Sequence, residues 1–472
     1  MAPSPSHAAA DRYDVVVLGG GAAGLTAAGI SARFGARTAL VERHLPGGDC
    51  TWTGCVPSKA LLHLAKQVHG ARRLAAAGAL GAPPAPDFGR IMAMVRDTRR
   101  RVYEAADSPA VLAEHGVEVL FGNGSFLGPR DLAVQTESGQ RRITFRRAII
   151  ATGATPTLPP VNGLSAAGYL THATVFDLET QPRRLVVLGA GPVGLELGQA
   201  FARLGSRVTI VDVADRILPG EDPLCDAILR PALEAEGLSF RLGQSVAAVE
   251  KTKAGLRLAV GAATSGTTAI TPTSLTADAL LVAVGKRPRI DGADLNVAGV
   301  AATSAGIAVD RHARTNQRHI FAAGDVTGGA MLSHVAEDMA KAAAINAVFA
   351  LPIRRVEVRV VPRVTFTDPE CAQVGQTAAQ LAAAGTTFDT IHLPYDKIDR
   401  AVVEGAPAGA IVIHARRGRI LGAVAVGTGA GEIIGELALA MRNGVTLTSI
   451  SDTIHAYPTL LAGARRAADQ AW

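Results

Sequence analysis

Tyr13–Gly24 reads YDVVVLGGGAAG, an apolar run of strand length that ends in glycines. The Ala-rich pattern from Leu25 to Phe34 predicts a helix, and RTALVE predicts a second strand ending in Glu42. Gly19, Gly21 and Gly24 fit G-x-G-x-x-G, which needs no side chain at the tight turn, at the approach of a pyrophosphate, or at the helix–strand contact. Glu42 follows Gly24 by eighteen positions, where a carboxylate accepts from a ribose hydroxyl.

The same design returns in RRLVVLGAGPVGLELGQAFARLGSRVTIVD: a strand, the glycines Gly189, Gly191 and Gly194, a helix, and a strand ending in Asp212. Two complete strand–loop–helix–strand–acid units imply that one dinucleotide passes electrons to another. RRAIIATGATPTLPP supplies a strand, Thr152 and Gly153, and a Pro-rich exit; TNQRHIFAAGDVTGG supplies a strand end with Gly324 and Asp325 ahead of a helix from about Met331 to Phe349. The second nucleotide fold is therefore expected as an insertion in the first, with 1–155 and 286–350 forming one domain and 156–285 the other. From 351 to 472 the texture turns to alternating apolar strands such as VRVVPRVTFTD, GAIVIHA and ILGAVAVG, followed by the helical GEIIGELALAMRNG. Alternation predicts a sheet with one covered face and hence a third, α+β domain. The fold class expected is α/β: two Rossmann-like domains and a C-terminal α+β domain.

Only four cysteines occur in 472 residues, and two of them, Cys50 and Cys55, lie close together in GGDCTWTGCVPSK. A dithiol beside a dinucleotide fold points to flavin-linked redox chemistry. On a continuous helix the two would stand about 7.5 Å apart along the axis and ~140° around it, so the chain must turn at Thr53 and Gly54. Pro57 suits a first helical turn, whose positive dipole end favours thiolate. Cys225 and Cys371 are isolated and read as packing residues.

The net charge is +6, with a basic cluster at Arg96, Arg99, Arg100 and Arg101. Aromatic residues make up 4% of the chain and none interleaves with these arginines, so they read as a solvated helix face and no nucleic-acid partner is expected. No apolar run reaches the ~20 residues of a membrane span. The start, MAPSPSHAAADRYD, reads as a short disordered tail without a secretory signal, so a cytoplasmic address is expected.

Over nearly its full length the chain resembles the class I pyridine nucleotide–disulfide oxidoreductases, on GGGAAG with Glu42, CTWTGCVPSK, ATG, GAGPVGLE, FAAGD and NGVT…IHAYPT. Within that family it looks most like the catalytic core of mercuric reductases and of dihydrolipoamide dehydrogenase. The resemblance implies FAD in the first fold, NAD or NADP in the second, and a homodimer formed through the third domain. It further implies that Cys55 faces the flavin while Cys50 exchanges with substrate, that Lys59 pairs with Glu196, and that Asp325 meets ribityl hydroxyls. Asp212 repels a 2′-phosphate and so leans the expectation to NADH, with Arg207 and Arg216 as neighbours that would favour NADPH.

One stretch departs from the disulfide reductases. Where they carry a His-Pro acid/base and a following Glu, this chain has Tyr457, Pro458 and Ala462. A phenol with a pKa of about 10 is a poor proton acceptor at neutral pH. Tyrosine here resembles mercuric reductases, and soft thiolates suit a soft cation, so Hg(II) held transiently by Cys50 and Cys55 is the first acceptor expected. The C-terminal cysteine pair of those enzymes has no counterpart in RRAADQAW. A lipoamide- or quinone-directed reductase and a slowly turning flavin-binding redox sensor are the alternatives, with His455, two residues from Tyr457, as a substitute proton carrier.

Overall fold

The computed structural model describes residues 11–83, 85–263 and 273–471; the stretch expected as a disordered tail lies, up to residue 10, outside them. The chain divides into two compact units. The first comprises the segment ending at Pro57, Met94–Thr157 and Lys286–Val358. The second comprises Ser58–Ala93, Leu158–Gly285 and the chain from Arg359 onward.

In the first unit a seven-stranded sheet runs in the order Val117–Phe121, Thr38–Glu42, Asp11–Leu18, Gly139–Ile150, Asp131–Thr136, Asn123–Gly128, with Ile320–Ala322 alongside Gly139–Ile150. The strands Thr38–Glu42, Asp11–Leu18 and Ile320–Ala322 pair parallel to their neighbours, whereas the Asp131 and Asn123 strands are antiparallel. Val16, Leu18, Ala39 and Val41 are buried in its core with Ile150 and Ile320. That burial explains the near-continuous apolar reading of the nucleotide strands. Helices Ala22–Arg33 and Ser333–Phe349 fall within two to three residues of expectation at each end.

The second unit contains a parallel four-stranded sheet, ordered Ser239–Arg241, Arg207–Val211, Arg184–Leu188, Ala279–Val282, and a three-stranded antiparallel sheet. It also contains a five-stranded antiparallel sheet, ordered Arg363–Thr365, Glu370–Gly375, Arg419–Gly427, Ala410–Arg416, Asp389–Pro394. The chain is thus α/β, with two dinucleotide-type folds and a C-terminal α+β fold.

Three expectations fail here. The C-terminal sheet is not covered on one face only: six of the seven residues of Ala410–Arg416 are buried. Helix Ala430–Asn443 covers one face, while Pro223–Ala235 packs against Glu370–Gly375 and Arg419–Gly427. The stretch VRVVPRVTFTD forms a strand only over Arg363–Thr365, starting just after Pro362, which has no N–H for a ladder. Cys225 and Cys371 are not separate packing residues either: they form a disulfide across 146 positions, with Cα atoms 5.9 Å apart.

Candidate active site

The first glycine turn is fixed by sterics. Gly19 has φ of +100°, and a Cβ there would lie 2.3 Å from the Ala151 carbonyl oxygen; one on Gly24 would lie 1.7 Å from the Gly19 oxygen. Gly21 is different, since a Cβ there would meet only the Gly48 Cα at 3.8 Å, so its bare backbone leaves space open to a ligand. Glu42 closes the turn: its Oε2 accepts from the Gly20 N–H (2.6 Å) and its Oε1 from the His44 N–H (2.8 Å).

Apart from Gly24, these residues border a cavity of about 430 Å³ that also takes in Cys50, Thr152, Gly153, Gly324, Asp325 and Ser333. Thr152 donates its hydroxyl to the Arg289 carbonyl (2.7 Å). Asp325 opens a short 3-10 turn after Gly324 and does not cap the long helix; its Oδ2 instead receives Lys286 Nζ at 2.6 Å. Lys286, which sequence reading passed over, also lies 3.9 Å from Asp49, next to Cys50.

The cysteine segment breaks as the spacing demanded. Cys50 sits in the short helix Gly48–Trp52, and Cys55 opens the helix Cys55–Ala76. A Cβ on the intervening Gly54 would lie 2.7 Å from the Asp49 carbonyl oxygen. Neither cysteine is in a disulfide, and the two thiols are close enough to hydrogen-bond. Cys50 is pushed up by its hydrogen bond to Cys55 and then by burial, while Ser333 pulls it down. The Ser333 hydroxyl also stands 3.3 Å from Cys55 Sγ, at the first residue of Ser333–Phe349, where the helix dipole favours thiolate. Ser333 was missed because a lone serine before an Ala-rich helix carries no motif.

The segment is braced by side chains. Thr51 donates to Asp107 (2.6 Å), Trp52 Nε1 to the Pro46 carbonyl (2.8 Å), and Arg99 Nη1 to the Trp52 carbonyl (3.1 Å). Arg99 therefore departs from the expected solvated face. Burial raises the Asp107 carboxyl despite the Thr51 bond.

The second glycine turn repeats the first. A Cβ on Gly189 would lie 2.5 Å from the Ala283 oxygen and one on Gly194 1.9 Å from the Gly189 oxygen, while Gly191 faces open space. Asp212 accepts from Ala190 N–H (2.6 Å) and Ala214 N–H (2.8 Å), the same two-handed bracket as Glu42. Arg216 Nη2 donates to the carbonyls of Pro219 (2.7 Å) and Glu221 (3.1 Å), which ties that end of the guanidinium to its own loop, while Nη1 is buried without a hydrogen-bond partner among the described residues. Arg207 opens the strand Arg207–Val211, about 16 Å of extended chain from Asp212, and lies at the wrong end to meet a ribose phosphate.

Elsewhere in the second unit, Lys59 Nζ contacts Glu196 Oε2 at 2.8 Å and stands 4.5 Å over the Phe366 ring, while Glu196 Oε1 accepts from the Phe366 N–H (2.9 Å). His455 and Tyr457 line one cavity but have separate partners. His455 Nε2 meets Glu436 Oε1 at 2.9 Å, and Nδ1 meets the Thr453 carbonyl at 2.9 Å. Burial alone would lower the His455 pKa, yet the bonds to Glu436 and Thr453 leave it raised. Tyr457 is 76% exposed, and its hydroxyl donates to Asp399 at 2.8 Å. That bond, and then the Asp399 charge, push the phenol above its ordinary range.

Two bracketed glycine turns, one opening on a cavity lined by Cys50 of a dithiol, define a flavin-linked, pyridine nucleotide-dependent redox enzyme. The chain matches the pyridine nucleotide-disulphide oxidoreductase model over residues 13–340 and the dimerisation domain of such enzymes over residues 361–468, and it belongs to that family. It is 36% identical to a dihydrolipoyl dehydrogenase of Thermus scotoductus, covering 97% of both chains. It is 34% identical to a mercuric reductase of Streptomyces lividans, covering 97% of this chain and 95% of that one. The Cu(II) complex of RclA, a HOCl-induced flavoprotein disulfide reductase of Escherichia coli, superposes with a TM-score of 0.86 at 26% identity, covering 98% and 99% of the two chains. FAD and NAD(P)H are the cofactors of this enzyme class, and the dimerisation domain supports a homodimer. The first cavity fits FAD: its open Gly21 and Gly153, its carboxylates at Glu42 and Asp325 and its Lys286 cation supply the room, acceptors and donor that hydroxyls and phosphates need. No helix among the described residues is long and apolar enough to cross a membrane.

Proposed function

We propose that this chain is an FAD-dependent, NADH-preferring oxidoreductase whose Cys50–Cys55 pair delivers two electrons to a soft acceptor, Hg(II) foremost. The observation that carries the choice of acceptor is the Tyr457 hydroxyl donating to Asp399. A phenol raised above its ordinary range stays protonated at neutral pH and gives a hydrogen bond, so it does not take a proton from an exchanging thiol. Soft metal chemistry needs no such base, because the thiolates are themselves the ligands.

In this reading Gly19, Gly21, Gly24, Glu42, Thr152, Gly153, Gly324 and Asp325 hold FAD, while Gly189, Gly191, Gly194 and Asp212 hold the pyridine nucleotide. Bound FAD supplies the hydride-accepting ring by which NAD(P)H restores an electron pair to the sulfurs. Cys50 and Cys55, each having lost a proton, ligate Hg(II). Two electrons leave the sulfurs as their S–S bond forms, and the metal falls from Hg(II) to Hg(0). Lys59, fixed by Glu196, takes the cation role that the family resemblance assigns to it. The NADH preference rests on Asp212, whose charge opposes a 2′-phosphate.

A second reading, exchange with a dithiol or disulfide substrate such as lipoamide, is favoured by the His455–Glu436 pair, which has the chemistry of an oriented acid/base. An anaerobic titration with NADH and with NADPH, followed by Hg(II) with excess thiol, lipoamide, glutathione disulfide and quinones, separates the two. The expected result is Hg(II)-dependent NADH oxidation that Cys55→Ala abolishes. Lipoamide as the best acceptor by far would overturn the metal reading in favour of His455.

A further inference from the structure

The disulfide Cys225–Cys371 lies outside the dithiol site, and both residues are buried, at 0% and 2% exposure. Cys225 is in the first turn of helix Pro223–Ala235, and Cys371 is in strand Glu370–Gly375. The bond does not stand alone. Gln373, two residues on and therefore on the same face of the strand, accepts from the Asp222 N–H through its Oε1 at 2.9 Å. Asp222 caps the helix by accepting from the Leu224 N–H (2.9 Å), and Arg363 in the neighbouring strand grips Glu221 at 3.0 Å. The start of this helix is thus anchored to the sheet covalently, by a hydrogen bond and by an ion pair.

The same helical turn also reaches the loop that follows Asp212. Asp226, adjacent to Cys225, accepts from the Ile217 N–H through Oδ1 at 3.1 Å. The next residue, Leu218, adopts φ of +48° and donates its N–H to the Ala190 carbonyl at 3.0 Å, inside the second glycine turn. A branched residue at positive φ is held there only when its surroundings over-determine it. Arg216 closes the loop on the carbonyls of Pro219 and Glu221. One continuous set of bonds therefore runs from the disulfide, through Asp226, to the glycine turn and the loop of the acid.

We propose that Cys225–Cys371 is a positioning disulfide for the pyridine nucleotide site: it pins the helix whose Asp226 sets the loop between Asp212 and Asp222. The inference rests on the assignment of that glycine turn and Asp212 to the pyridine nucleotide. Its burial makes the bond inert to the exchange chemistry of Cys50 and Cys55, so it stays closed while the catalytic pair cycles.

The test uses the FAD-loaded full-length enzyme and the double variant Cys225→Ala/Cys371→Ala. Thiol titration in denaturant after NADH reduction should find two thiols in the parent, and four only after treatment with a strong dithiol. The double variant should raise KM for the nucleotide by about three- to tenfold while leaving kcat at saturating nucleotide and FAD content near the parent values. Asp226→Asn, which keeps an acceptor for Ile217, should stay close to the parent, and Asp226→Ala should reproduce the rise in KM. Four thiols in the NADH-reduced parent, or a double variant that melts earlier with an unchanged KM, would overturn the proposal. Asp212→Asn is the control for the underlying assignment: if it leaves the nucleotide KM unchanged, the assignment of the site has failed, whereas a rise there with no change in the double variant refutes the disulfide's role alone.

Discussion

Replacing Ser333 with alanine tests whether the hydroxyl at the start of Ser333–Phe349 tunes the dithiol. Its Oγ lies 3.3 Å from Cys55 Sγ and it also hydrogen-bonds Cys50, which it pulls toward the thiolate against the hydrogen bond to Cys55, burial and the charge of Glu337. A hydrogen bond to a charged group contributes about 1.5–3 kcal/mol when sheltered. Cys55 is exposed and Cys50 is partly so, and water replaces much of the lost donor, which reduces the net loss to about 1 kcal/mol. That loss raises the apparent pKa of the pair by about 0.7 and cuts the thiolate fraction below that pKa about fivefold. The assay is iodoacetamide alkylation of the anaerobically reduced enzyme from about pH 5 to 9, with the modified cysteine identified by mass spectrometry. The rate–pH curve of Ser333→Ala should shift to higher pH, and Ser333→Thr, which keeps the hydroxyl, should return it toward the parent. Superimposable curves for the parent and Ser333→Ala would refute the reasoning, since a helix dipole and Cys50–Cys55 coupling alone would then set the reactivity.

Lys59→Met strands the Glu196 carboxylate, whose side chain is 6% exposed, with only the Phe366 N–H. Removing one partner of a buried pair costs about 3–5 kcal/mol, but Lys59 is 38% exposed, so about 1–2 kcal/mol is expected, seen as a Tm lower by about 1–3 °C; a Tm equal to the parent's would show that the pair carries no net stability. His455 gives a pH signature. Its folded pKa is raised, so the stability contributed by the Glu436 bond is full below the unfolded value of about 6.5 and disappears as pH rises through the folded pKa. Glu436→Gln should therefore melt below the parent at acid pH and converge with it as pH rises, and a Tm gap independent of pH would count against a charged His455.

The two nucleotide folds were legible because their requirements are local. Gly19, Gly24, Gly189 and Gly194 each face a carbonyl that a Cβ would strike, and a glycine imposed at fixed spacing is visible in any sequence. The break at Gly54 was legible for a similar reason, since two cysteines five apart cannot meet on one helix. Contacts between segments distant in the chain leave no such mark. Ser333 reaches Cys55 across 278 positions, Lys286 reaches Asp325 across 39, and Cys225 reaches Cys371 across 146. The second covered face of the C-terminal sheet belongs to the same class, because its cover is a helix from another part of the chain. The acids show how the two kinds of information combine. Spacing alone marks Glu42 and Asp212 as candidate ribose acceptors, and both carboxylates bracket their own glycine turn, each binding one N–H in the turn and one just past the strand. A carboxylate that shapes the turn and faces the ligand is constrained twice. Under the proposed assignment, substituting either acid disturbs the backbone of the glycine turn as well as the ribose contact, and the measured loss of nucleotide affinity at that site should exceed the value of one hydrogen bond.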